Sequence, residues 1–87
     1  MSGERAVPHV RAFLGQRVRD LRAKRGFSQE NLGGRASLSG KFIGEVERGE
    51  KSISIDSLYR VSVALAVPLR QLVDLPPGST GSSRRRS

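Results

Sequence analysis

The 87-residue chain carries 16 Lys and Arg against 8 Asp and Glu, a formal net charge of +8, with 36% apolar and 5% aromatic residues. That length bounds it to one small domain with a modest core, and its apolar content is too high for a wholly disordered segment. The absence of Cys excludes disulfide scaffolds, thiolate metal sites and cysteine nucleophiles, and the lone His9 excludes a two-His metal motif. Neither metal nor cofactor is expected.

Residues 1–9 (MSGERAVPH) lack a hydrophobic period and contain Gly3 and Pro8, the composition of a flexible leader. A first helix is predicted over about 10–25, with Leu14, Val18 and Leu21 on its inner face and Gly26 as its stop after Lys24-Arg25. Ser28 caps a short second helix, about 29–36, with Leu32 and Ala36 inward and Glu30 in its first turn. After Ser37-Leu38-Ser39, a third helix spans about 40–48 on Ile43 and Val46, and Gly49 ends it. Ser54 caps a fourth, about 55–66, carrying Leu58, Val61 and Leu65. Pro68 cannot extend that helix but can open a fifth, about 69–74, with Leu69, Leu72 and Val73.

The domain therefore runs over 10–75 as a compact all-α five-helix bundle. Residues 76–87 (PPGSTGSSRRRS) have the composition of a disordered tail or linker. The longest apolar run, Val63–Val67, falls far short of the ~20 residues a membrane-spanning helix needs. No charged-then-apolar secretory leader opens the chain, so a cytoplasmic protein is expected.

The charge is unevenly placed. Residues 1–35 hold eight basic side chains and three acids, residues 36–83 five of each sign, and Arg84-Arg85-Arg86 nearly close the chain. A basic surface of this kind suits a polyanion, either nucleic acid or an anionic membrane face. The arginine run is either a weak electrostatic arm or an inert tail. No nucleophile, base and orienting group can be assembled from the Ser, Asp and Glu present, so the chain is not read as an enzyme.

The second and third helices are short and joined by about three residues, the helix-turn-helix arrangement whose second member enters the major groove. The stretch Ser28-Gln29-Glu30-x-Leu32, the pair Ile43/Val46, Glu47-Arg48-Gly49 and Ala64-Leu65-Ala66-Val67-Pro68-Leu69 together resemble the Cro/C1-type helix-turn-helix (XRE) family of lambdoid phage repressors. The resemblance covers about residues 13–74. It implies a lambda-repressor-like, sequence-specific regulator of transcription that binds double-stranded DNA. On this reading the protein is nucleoid-associated and acts, as repressor or activator, as a homodimer on a palindromic operator.

Carried over residue by residue, the resemblance places Gly40, Lys41, Phe42 and Glu45 at base-contacting positions. Ser28, Gln29, Arg22, Arg48, Lys51 and Ser52 become candidates for phosphate contact. Lys41 and Glu45 are one turn apart, so they either meet guanine and cytosine edges or pair with each other. Phe42 either touches a thymine methyl or rests on the domain, and Gly40 has no side chain to read with. Arg22 and Glu47 match a partly buried ion pair tying the first helix to the end of the third. Two departures stand out: Gly33 replaces a common Ala, and Ser37 stands where the family usually has Gly in the tight turn. Leu69, Leu72, Val73 and Leu75 either form the dimer surface or close the core.

An alternative keeps the fold without DNA readout, as an antitoxin-like or coactivator-like protein-interaction adaptor. A basic membrane-surface protein ranks last, because the helices lack bulky apolar faces opposite their cationic ones. No small-molecule ligand is evident.

Overall fold

Ten apolar side chains spaced at helical intervals are buried: Val18, Leu21, Leu32, Ala36, Ile43, Val46, Leu58, Val61, Leu65 and Leu72. In the computed structural model, which describes residues 2–74 with side chains from His9 onward, five helices supply nine of them and Ala36 is the C-cap of the second. These are α1 (Ser2–Arg25), α2 (Gln29–Arg35), α3 (Gly40–Glu47), α4 (Ile55–Leu65) and α5 (Leu69–Val73). The described residues form no strand. α3 packs against both α1 and α2, α4 backs α2, and α5 closes the far side against α1 and α4.

Each of α2, α3 and α4 starts on a serine whose hydroxyl accepts a backbone N–H three residues on. Ser28 takes Asn31, Ser39 takes Phe42 and Ser54 takes Ser57. α1 differs from expectation. It begins at Ser2, so residues 2–9 are helical rather than a leader. Glu4, Arg5 and Ala6 are good helix formers, and Pro8 removes a single N–H. Leu75 and the tail 76–87 lie outside the described residues.

Four helices end in the same way. The residue after the C-cap turn takes a left-handed conformation, and the amide beyond it bonds back five residues. The bonds are Phe27 N to Arg22 O, Leu38 N to Gly33 O, Glu50 N to Glu45 O and Val67 N to Ser62 O, at 2.7–3.2 Å. The left-handed residues are Gly26, Ser37, Gly49 and Ala66. Ser37 therefore adopts φ +60° itself, and the tight turn keeps its geometry without glycine. A side chain in that region costs about 1–2 kcal/mol. Gly33 is explained by the same turn: a Cβ there would sit 2.7 Å from the Leu38 carbonyl oxygen.

Arginines close two further junctions between helices. Arg17 on α1 donates to the carbonyls of Gln71 (2.7 Å) and Asp74 (2.8 Å) at the end of α5. Arg60 on α4 donates to the Ala36 carbonyl at the end of α2 (2.9 Å). Each puts a cation on the negative end of a helix.

Among the described glycines, Gly15 marks the tightest approach, between α1 and the end of α3. Gly15 is buried, and a Cβ there would lie 2.6 Å from the Glu47 carbonyl oxygen and closer still to that of Val46. Both obstacles are backbone, so α1 itself would have to move. Gly15→Ala is expected to destabilise the domain by about 2–3 kcal/mol, the upper range for overpacking. Denaturant unfolding monitored by circular dichroism checks this, and an unchanged midpoint would show that α1 and α3 separate without cost.

Candidate nucleic-acid interface

α3 is held by its inner face, where Ile43, Gly44 and Val46 are buried, and its outer face is left for contact. Lys41 is exposed and Glu45 half-buried, one turn apart. Among the described residues two carboxylate–cation pairs form, Arg22–Glu47 and Arg48–Glu50. Lys41 and Glu45 are in neither, so the mutual pairing open to them is not made. Phe42 is half-buried and lends its amide to the Ser39 cap.

Gly40 has a packing role that spacing does not reveal. A Cβ at this position would lie 2.9 Å from Glu30 Cγ and 3.0 Å from Glu30 Cα. The missing side chain lets the start of α3 rest directly on α2, with Glu30 filling the space.

Behind the outer face lies a polar junction centred on Glu47. Arg22 Nε donates to Glu47 Oε2 at 2.6 Å and Arg22 Nη2 to Oε1 at 3.0 Å, a fork-to-fork pair. Arg22 Nη1 donates to the Phe27 carbonyl at 2.8 Å, and Gln29 Nε2 to Glu47 Oε1 at 3.0 Å. The Arg22 and Glu47 side chains are 17% and 4% exposed. Hydrogen bonding to Glu47 holds the Arg22 guanidinium above its usual pKa despite the opposing effect of burial, so it stays charged at any physiological pH. Each of its three nitrogens is already engaged with protein, which makes it a brace between α1, the α1–α2 turn and α3.

Gln29 and Arg48 converge over Gly44. A Cβ on Gly44 would meet Gln29 Oε1 at 3.1 Å and Arg48 Nη1 at 3.2 Å. Two of the phosphate-contact candidates thus share one spot beside α3. Ser28, Lys51 and Ser52 are exposed nearby in the chain, though the Ser28 hydroxyl is committed to the α2 cap. Arg48 Nε and Nη2 bind Glu50 at 2.9 and 3.3 Å in a pair open to solvent.

Some features had no place among the sequence-derived candidates. Arg35 and Arg25 lie 4.5 and 5.9 Å from the centre of the Phe27 ring, giving cationic character to the α1–α2 corner. Ile55, Tyr59 and Val63 form an apolar row along α4, each more than half exposed. Their i, i+4, i+8 spacing is visible in the sequence, beside the inner row Leu58, Val61 and Leu65.

The α5 surface needs correction. Leu72 is fully buried in the core of its own chain and has no surface to offer a partner. Leu69 is half-buried and packs on the same core. Val73 is exposed, and Leu75 lies outside the described residues. A five-residue helix that must close a small core has no second apolar face to spare. Among the described residues no cluster of His, Asp or Glu is placed to hold a metal, and no helix is long and apolar enough to cross a membrane.

The helix-turn-helix family profile matches residues 18–72, more than half of the chain. The control protein C.BamHI of Bacillus amyloliquefaciens is 36% identical over 67 residues, covering 76% of this chain and 83% of that protein. An uncharacterized transcriptional regulator in the ATPase CF(0) region of Rhodospirillum rubrum is 43% identical over 68 residues, covering 78% of this chain and 63% of the relative. Among solved structures, the restriction-modification controller protein C.AhdI from Aeromonas hydrophila superposes with a TM-score of 0.70 at 35% identity, covering 71% of this chain and 94% of that one. The hypothetical transcription factor NHTF from Neisseria superposes with a TM-score of 0.72 at 33% identity, covering 80% of this chain and 79% of that one.

Breaking the Glu47 junction from the Arg22 side leaves a nearly buried carboxylate with only the Gln29 amide. Arg22→Met is expected to cost about 3 kcal/mol of stability. Urea unfolding at neutral pH checks it, and a loss below about 1 kcal/mol would class the pair with ordinary surface bridges.

Proposed function

The chain belongs to the Cro/C1-type helix-turn-helix family of transcriptional regulators, and we propose that it binds a palindromic operator as a homodimer, with α3 of each copy in the major groove. The observation that carries this reading is the outer face of α3, where Lys41 and Glu45 have no ionic partner among the described residues while the opposite face is buried. Lys41 donates to guanine O6 or N7, and Glu45 accepts from cytosine N4. Phe42, half-buried beside that face, takes a thymine methyl. Gly40 contributes closeness rather than contact.

Gln29 and Arg48 grip a phosphate beside Gly44, with Lys51 and Ser52 extending that grip. Such contacts set the docking register and carry no sequence information. The net charge of +8 favours the polyanion at long range. The tail arginines are not needed for this arrangement.

Two-fold symmetry would place two such helices in successive major grooves, ~34 Å apart. The exposed row Ile55, Tyr59 and Val63 supports a second copy packing on α4, because a contiguous apolar row on so small a domain is costly to leave in water. This moves the dimer surface from α5 to α4.

Binding-site selection from random duplexes tests the readout. Lys41→Ala is expected to relax the preference at one or two base pairs by about 1–3 kcal/mol, while Gln29→Ala weakens every duplex alike. Identical behaviour of the two variants would overturn the division of roles. Absence of any selected sequence would favour the adaptor reading instead.

The dimer is tested separately by sedimentation equilibrium. Tyr59→Glu is expected to shift the protein to monomer and to weaken duplex binding, with its helical content unchanged. A mass identical to that of the unsubstituted protein would place the interface elsewhere.

A further inference from the structure

Of the four helix ends built on the same back-bonded turn, one departs from the others in chemistry. The residue that follows the left-handed one is Phe27 at α1, Leu38 at α2 and Val67 at α4, and each of these packs on the core. Such an apolar contact commonly accompanies the motif. At α3 the equivalent residue is Glu50, a carboxylate open to solvent.

Its place is firmly set. The Glu50 amide bonds to the Glu45 carbonyl at 2.9 Å, the Gly49 amide bonds to Val46 at 2.9 Å, and Gly49 sits at φ +75°. The carboxylate then takes two nitrogens of Arg48, two residues before it, at 2.9 and 3.3 Å. That leaves Arg48 Nη1 over Gly44, beside the Gln29 amide.

We propose that Glu50 is a built-in brake on the phosphate grip of Arg48, limiting the sequence-blind affinity of this surface for duplex DNA. This inference rests on the DNA-binding reading above. Arg48 carries a charge suited to a phosphate, but Glu50 cancels it at short range. A phosphate arriving at Arg48 must either displace the carboxylate or sit beside it, and like charges repel in both cases. The pair is exposed and therefore weak enough to exchange. It limits the contact without abolishing it. Binding that depends on base edges is affected only through this shared phosphate contact.

Fluorescence anisotropy with a duplex of random sequence, titrated from about 50 to about 200 mM salt, tests the proposal. Glu50→Gln is expected to tighten binding several-fold at the low-salt end and to steepen the slope of log K against log salt by about one. The charge-matched control is Asp56→Asn, on the first turn of α4, whose carboxylate makes no ion pair with Arg48. In an Arg48→Ala background, Glu50→Gln is expected to do no more than this control, since the coupling is lost with its partner. Thermal unfolding of each variant verifies that the fold is retained.

If Glu50→Gln behaves like Asp56→Asn, or keeps its full effect without Arg48, the brake is refuted while the DNA-binding reading stands. If the unsubstituted protein binds no duplex at any salt concentration, both fall together.

Discussion

The attachment of α3 to the rest of the domain depends on the Glu47 carboxylate. It lies at the last turn of that helix, almost out of water, and gathers donors from α1 through Arg22 and from α2 through Gln29. A carboxylate in that setting is costly unless its oxygens are occupied, and here both are. The satisfied arrangement therefore holds three helices at one point. Gly15 makes it possible, because only a residue without a side chain lets α1 approach the Val46 and Glu47 carbonyls so closely. Charge pairing and backbone contact act at the same place, so the outer face of α3 is presented by a rigid rear attachment rather than by its own short length.

Glycines set the remaining distances around that helix. Gly33 lets the turn come down on α2, Gly40 lets α3 start against Glu30, and Gly44 leaves the space in which Gln29 and Arg48 meet. Gly33 and Gly40 would look like defects in a helix judged by propensity alone, since each costs about 1 kcal/mol relative to alanine. Close packing of α2 on α3 offsets that cost. The domain is small, and short interhelical distances are how it buries enough apolar area with only ten core side chains.

Much of the fold was legible in order. Serine caps, left-handed glycines and the inner rows of α2, α3 and α4 follow from local rules, and α2, α3, α4 and α5 start where those rules put them. The exceptions have identifiable causes. α1 extends to Ser2 because a single proline does not outweigh a run of helix formers. Ser37 takes a conformation that local preference assigns to glycine, because the Leu38–Gly33 bond and the descent of α3 require it. Leu72 looked available for a partner because helical spacing shows an apolar face without showing what covers it.

The candidate site divides along the same line. Lys41, Glu45, Gln29 and Arg48 became candidates through the family resemblance, and residue type with the one-turn spacing of Lys41 and Glu45 showed only that two polar side chains share a helix face. The Arg22 attachment could be inferred only through family resemblance. The convergence of Gln29 and Arg48 on Gly44, the stacking of Arg25 and Arg35 near Phe27, and the outward row Ile55, Tyr59 and Val63 required coordinates. The amino-acid order by itself determined which segments become helices and which residues cap them, because capping and periodicity act over a few neighbouring positions. Only the tertiary structure decided which apolar rows face inward and which charges meet, because those depend on helices distant in sequence competing for the same small volume.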